Sequence, residues 1–205
     1  MEPECTEPNW KTILTHEAGH AVAALALHAE VADIKLRSSV PRGPASRASY
    51  SLPDVESGYA PNPRPPIERV IVYAAGAKAE EVLLGTTNSN GFGSDLRKIE
   101  RVRDRLMRDA DVGHLRSLGL PSESLRTAIA NVPQAKANLA AVELEIGSNY
   151  PRTREILSRH RNAVELIAKA ALERLQEVEL VDEIILLPAN QVQSLWDECQ
   201  RVLQE

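Results

Sequence analysis

Cysteine is nearly missing from this 205-residue chain: Cys5 and Cys199 are the only two, near opposite ends. That excludes a framework of several disulfides and any metal cluster built on cysteine within one chain, and it suits a reducing cytosol, the expected location. Aromatic residues are also scarce, at 3%. A core without rings has to be aliphatic, drawn from Ala, Leu, Val and Ile on helices, which argues against an all-β sandwich. A basic excess is lacking as well, the formal charge being -5. Nucleic-acid binders need cationic surface to displace counterions, so no nucleic-acid partner is expected. No uncharged apolar stretch approaches the roughly 20 residues of a membrane-spanning helix. The start, Met1-Glu2-Pro3-Glu4-Cys5, is acidic and lacks the cationic-then-apolar order of a secretory leader.

What the chain does have is 43% hydrophobic and 26% charged residues, enough for a packed core and against disorder. The length predicts a single domain over residues 1–205. Helical spacing begins after Thr6 or Asn9, either able to cap, and runs to about His28. Residues 32–39 alternate as a half-buried strand, Pro41-Arg42-Gly43-Pro44 turns, and Arg47 to Leu52 would close a β-hairpin beside that first helix. After a proline-rich loop to Pro66, helical spacing returns from Ile67 and stops at Gly85. Ser94 is placed to cap a helix through Leu96, Ile99, Val102 and Leu106 to Ala110. Helices are expected over Ser122–Ser148, broken near Pro133, and over Pro151–Gln176, then a β-like Glu179–Leu187 and a helix after Pro188. The predicted fold is mainly α with a small β-hairpin.

Chemistry concentrates in His16-Glu17-Ala18-Gly19-His20, an H-E-x-x-H pattern inside the first predicted helix. Four residues are about 400° of helix, so both imidazoles share one face, one turn apart, at a spacing that lets two nitrogens bind one Zn²⁺. Glu17 stands beside the first imidazole. There it could take a proton from a metal-bound water and pass it to a leaving amine. Catalytic zinc sites use three protein ligands, so a third lies downstream. His28, His114 and His160 are poor candidates, the first ending the same helix and the others lying among charged residues. The carboxylates Glu80, Glu81 and Asp95 all remain open, because spacing does not choose between them. Glu81 is also a candidate to accept a hydrogen bond from a ligand histidine. The run of Arg97, Lys98, Arg101, Arg103, Arg105 and Arg108 is interleaved with Glu100, Asp104 and Asp109, which reads as a solvated, salt-bridged face.

These residues resemble the zinc peptidase domain of FtsH-type, AAA-linked metalloproteases. His16-Glu17-Ala18-Gly19-His20-Ala21 is similar to that family's active-site helix. Pro41-Arg42-Gly43-Pro44-Ala45 and Leu52-Pro53 resemble its Pro-Arg-Gly turn and the end of its strand. Gly76 to Gly85 is similar to its Gly-Arg-Ala-Ala-Glu-Glu helix, and Ser94-Asp95-Leu96 falls at its Ser-Asn-Asp. The resemblance implies a mostly helical peptidase domain, with residues 9–110 as the metal-site core and 111–205 as a helical C-terminal part. It implies His16, His20 and Asp95 as ligands of one Zn²⁺ per chain, Glu17 as base and polypeptide as substrate. The family strand that can pair with extended substrate corresponds to Arg47, Ala48, Ser49 and Tyr50, although Arg47 stands where the family commonly has glycine, and Ala75-Gly76 replaces its usual double glycine. The chain contains no G-x-x-x-x-G-K-[ST] phosphate loop, so the expectation is a peptidase domain without the family's ATPase and membrane anchor, acting without ATP, with a homo-oligomer or a separate ATPase as possible partner. Two rival readings share the motif: a non-catalytic zinc-holding module docked on such a partner, and a metal hydrolase of non-peptide substrates. Intact Glu17 favours an enzyme over the first.

Overall fold

The computed structural model describes residues 9–31, 33–37, 64–86, 89–177 and 183–202. The fold is mainly α. Helix α1 (Trp10–Ala26) starts where Asn9 accepts a hydrogen bond from the Thr12 amide at 3.3 Å, so Asn9 is the cap and Thr6 lies outside the described residues. Helix α2 (Pro66–Leu84) begins with proline at its first position and ends at Gly85, whose φ of 69° is the left-handed stop that glycine takes without strain. Every residue from Val70 to Glu80 is buried. A helix apolar on all sides needs partners on all sides. One face of α2 joins α1 in the larger core with Leu14, Val22, Ile71, Val72 and Ala75. Its other face, with Val70, Tyr73 and Ala74, joins Ile99, Val102 and Leu106 of α3 (Ser89–Ala110) and Val142 of α6 (Val132–Gly147).

Between these come α4 (Val112–Ser117), which the sequence reading did not anticipate, and α5 (Ser122–Ala130). Asp111 caps α4 by accepting from the Gly113 amide at 2.8 Å. The chain then turns into α7 (Pro151–Arg159) and α8 (Arg161–Glu177), which the sequence reading joined into one helix. The break falls at His160, where the backbone leaves helical geometry, φ -108°. Its ring packs on Trp196 of α9 (Ala189–Val202), centroids 4.7 Å apart, and its Nδ1 meets Gln200 Nε2 at 3.2 Å. A contact made across the fold thus interrupts a pattern that is locally continuous.

The described β structure is one antiparallel pair, β1 (Ile34–Arg37) with β2 (Glu183–Leu187): Ile34 stands opposite Leu187, the register shifts by one residue, and Lys35 opposite Ile185 continues to Arg37 opposite Glu183. The expected strand at the tail is therefore present, paired across almost the whole chain. The expected hairpin partner, Arg47 to Leu52, lies outside the described residues, as do the substrate-strand candidates Arg47, Ala48, Ser49 and Tyr50. Asp33, just before β1, accepts from the Ala189 amide at 2.9 Å and so ties the pair to the start of α9. Helix α3 starts five residues before the expected cap, so Ser94 sits inside it and Asp95 lies more than one turn in. Phe92, packed against the second core, explains the extension: burial outweighs the weak helix propensity of the Gly91 and Gly93 that flank it. Among the described residues no helix is long and apolar enough to cross a membrane.

Candidate metal centre

Three helices meet around the H-E-x-x-H pattern. On α1, His16, Glu17 and His20 are each only 3% exposed. The His16 and His20 rings stand edge to face with centroids 4.7 Å apart, as one turn of helix dictates. From α2, Glu80 Oε1 lies 2.6 Å from His16 Nδ1, and the Val72 carbonyl lies 2.7 Å from His20 Nδ1. A carboxylate and a carbonyl only accept, so each Nδ1 donates and each Nε2 is turned the other way. Both Nε2 atoms face Asp95 of α3, whose Oδ2 is 3.1 Å from that of His16 and 3.3 Å from that of His20. Asp95 is fully buried.

This arrangement fits a divalent ion. Ligands about 2.0–2.1 Å from a tetrahedral zinc lie about 3.3 Å apart, close to the two separations found here. Among the described residues, His16, His20 and Asp95 form the one group of three whose ligand atoms lie within 4.8 Å of one another. His28, His114 and His160 are no part of it. Space is reserved at the same point. A Cβ on Gly76 would fall 2.6 Å from His20 Nε2 and closer still to His16 Nε2, so only a bare backbone lets α2 pass this near to the pair. Gly19 does the reciprocal service, since a Cβ there would meet the Ala75 carbonyl and Ala79 Cβ at 2.6 Å. The two helices thus interlock through glycines, and the imidazoles are pressed between them.

The electrostatics are those of a closely spaced charge cluster. Burial works against a charge on His16, but hydrogen bonds with Asp95 and Glu80 outweigh it and raise its pKa to about 10. Burial likewise opposes ionisation of Asp95, yet the two imidazoles hold its carboxyl well below the usual carboxylate range. Glu17 differs. Its two oxygens are buried without a hydrogen-bond partner, and burial, opposed by the nearby His16, raises its pKa to about 8. A carboxylate so placed costs stability unless something enters to meet it.

Of the two neighbouring glutamates, the structure separates the roles. Glu80 reaches His16, whereas Glu81, 100° further around α2, meets Lys78 Nζ at 2.6 Å and Arg154 of α7 at 2.8 Å. Sequence reasoning missed Gly76 as a determinant of the centre, and Lys98 too, whose Nζ lies 3.4 Å from Asp95 Oδ1. A glycine inside a helical pattern was the one available signal for the first. Lys98 was hidden in a run of charges that reads as solvated.

The chain is similar to known zinc metalloproteases. The chain is 27% identical over 198 residues to the ATP-dependent zinc metalloprotease FtsH of Magnetococcus marinus, which covers 91% of this chain and 28% of that protein. It is 26% identical over 166 residues to FtsH of Rickettsia prowazekii, covering 77% and 26%. With the mitochondrial ATP-dependent zinc metalloprotease FTSH 10 of Arabidopsis thaliana it shares 30% over 175 residues, covering 80% and 20%. The chain therefore spans about a quarter of the length of the curated relatives it matches. The sequence model described as Peptidase family M41 matches residues 4–184, a span that holds all three helices of the centre. By that match, the chain belongs to peptidase family M41.

Proposed function

We propose that the chain is a zinc-dependent endopeptidase that hydrolyses peptide bonds in extended or unfolded polypeptide. The observation that carries this reading is the meeting of His16 Nε2, His20 Nε2 and Asp95 Oδ2 beside the partnerless carboxylate of Glu17. One Zn²⁺ would be held by those three atoms. When bound, zinc supplies the Lewis acidity that makes water a nucleophile near neutral pH and polarises a carbonyl.

The protein's own groups do the rest. Glu17 accepts the proton of the attacking water on a carboxylate oxygen and delivers it to the departing amine; burial raises its pKa, which favours holding that proton between the two transfers. Glu80 and the Val72 carbonyl hold the two imidazoles in the orientation that aims Nε2 at the metal position. Gly76 keeps that position open. A module that merely stored zinc would gain nothing from an unpaired buried carboxylate at position 17, which costs stability, so the partnerless Glu17 supports turnover.

The test combines metal content with cleavage. The purified protein is expected to hold one zinc per chain and to cleave a casein-like unfolded protein, to stop on chelation and to resume when zinc is restored. Absence of stoichiometric zinc, or cleavage that ignores the chelator, would sink the reading.

A further inference from the structure

Asp95 spends one oxygen on the two imidazoles and leaves the other, Oδ1, buried without a hydrogen bond. Against that oxygen stands an ammonium. Lys98 Nζ, one turn further along α3, is 3.4 Å away, and only about a quarter of its side chain is exposed. The ammonium also lies 5.5 Å from the centre of the Tyr73 ring, and Tyr73 is a buried residue of α2. Lys98 is thus strung between the ring of one helix and the carboxylate of another. Neither contact belongs to the solvated, salt-bridged face that its neighbours in sequence suggest.

A carboxylate with both oxygens free can grip a divalent ion with two atoms. The second oxygen then occupies the coordination position that a catalytic site leaves open for water and substrate. We propose that Lys98 is a positioning residue that holds Oδ1 away from the metal, so that Asp95 ligates through Oδ2 alone, while its fixed positive charge keeps the metal electron-poor and less tightly bound. This rests on the zinc-peptidase reading above.

Lys98→Met, with Lys98→Arg as the conservative control and Lys98→Ala as a second truncation, is compared with the wild-type chain in two measurements that do not depend on turnover. Zinc affinity is read by competition with a chromophoric chelator, and coordination is read from the visible spectrum of the Co²⁺-substituted protein. Both truncations are expected to bind zinc about tenfold more tightly and to shift the cobalt spectrum toward the weaker absorption of five-coordination. Turnover should fall in kcat with KM little changed, and Lys98→Arg should retain the wild-type spectrum. Unchanged affinity and spectrum in the truncations overturn the role of Lys98, as does a loss of affinity with an unchanged spectrum. A wild-type chain that takes up neither zinc nor cobalt overturns the metal reading itself, and this inference with it.

Discussion

Glu80 and Glu81 are neighbours in sequence with opposite assignments in space. One turns to α1 and His16, the other to Lys78 and Arg154. Glu80→Gln is expected to weaken zinc binding by about 10- to 100-fold, the usual cost of removing an acceptor behind a ligand histidine. Glu81→Gln should leave zinc binding alone and cost no more than about 1 kcal/mol of stability, since its ion pairs are partly exposed. Equal zinc loss in both variants would contradict the geometry. Glu17→Gln makes a different demand: zinc and fold stay, while turnover drops by about 10²- to 10⁴-fold, the contribution of a positioned base. Wild-type cleavage by that variant would remove Glu17 from the mechanism. Gly76→Ala keeps every ligand yet should abolish stoichiometric zinc uptake, because the added methyl would collide with both Nε2 atoms and push the imidazoles out of place.

Helices α1 and α2 owe their stability to burial on every side, and α3 to a sharp division between a buried edge of Ile99, Val102 and Leu106 and a charged face. The corner from α6 to α7 is held by a polar device. Glu145, 2% exposed, accepts from the Thr153 amide at 3.0 Å, the Thr153 hydroxyl at 2.9 Å and the Arg152 amide at 3.3 Å, meeting the free donors at the start of α7. Glu145→Ala leaves those donors without an acceptor and should lower stability by about 2–3 kcal/mol, read as a fall in the denaturant midpoint. The α7–α8 break carries a pH signature. Burial, with Arg159 adjacent, holds the His160 pKa below its ordinary 6.5. Below pH 6.5 the unfolded chain therefore binds this proton more readily than the folded one, so the contribution of His160 is intact above that pH and is lost as pH falls through the window beneath it. The stability difference between His160→Gln and wild type should shift in favour of the variant between pH 7.5 and 5.5. A difference that stays constant would show that His160 protonates alike in both states.

Across the whole molecule, α2 is the wall shared by two cores, and β1 with β2 closes the larger one by joining residues near 35 to residues near 185. If the centre cuts polypeptide, its burial, with His16, Glu17 and His20 each 3% exposed, would keep the backbone of a folded domain from reaching it. The isolated protein is expected to cleave unfolded protein slowly, to ignore ATP, and to spare a stably folded substrate unless a separate unfolding partner presents it. Rapid, ATP-stimulated digestion of a folded substrate by the pure chain would refute this.

Regular local patterns were legible in the residues alone. Four-residue spacing on a helix places His16 and His20 on one face, Gly85 ends its helix, Asn9 is one of the two caps the residues allowed, and Pro133 falls one residue into α6, where the Ser122–Ser148 stretch divides. Such features depend on groups within a few residues of one another, and chain geometry makes those distances nearly constant. The start of α3 was not legible, because Phe92 extends the helix through a core contact that local propensity does not contain. Nor was the choice among Glu80, Glu81 and Asp95 open to spacing, for the separation of two residues on different helices is set by how the helices pack. Here that packing depends on two glycines that let α1 and α2 approach, and on a second core that brings α3 to the far side of α2. Only the tertiary structure could bring Asp95 Oδ2 to both imidazoles, Glu80 to His16, and Lys98 to the oxygen that remains.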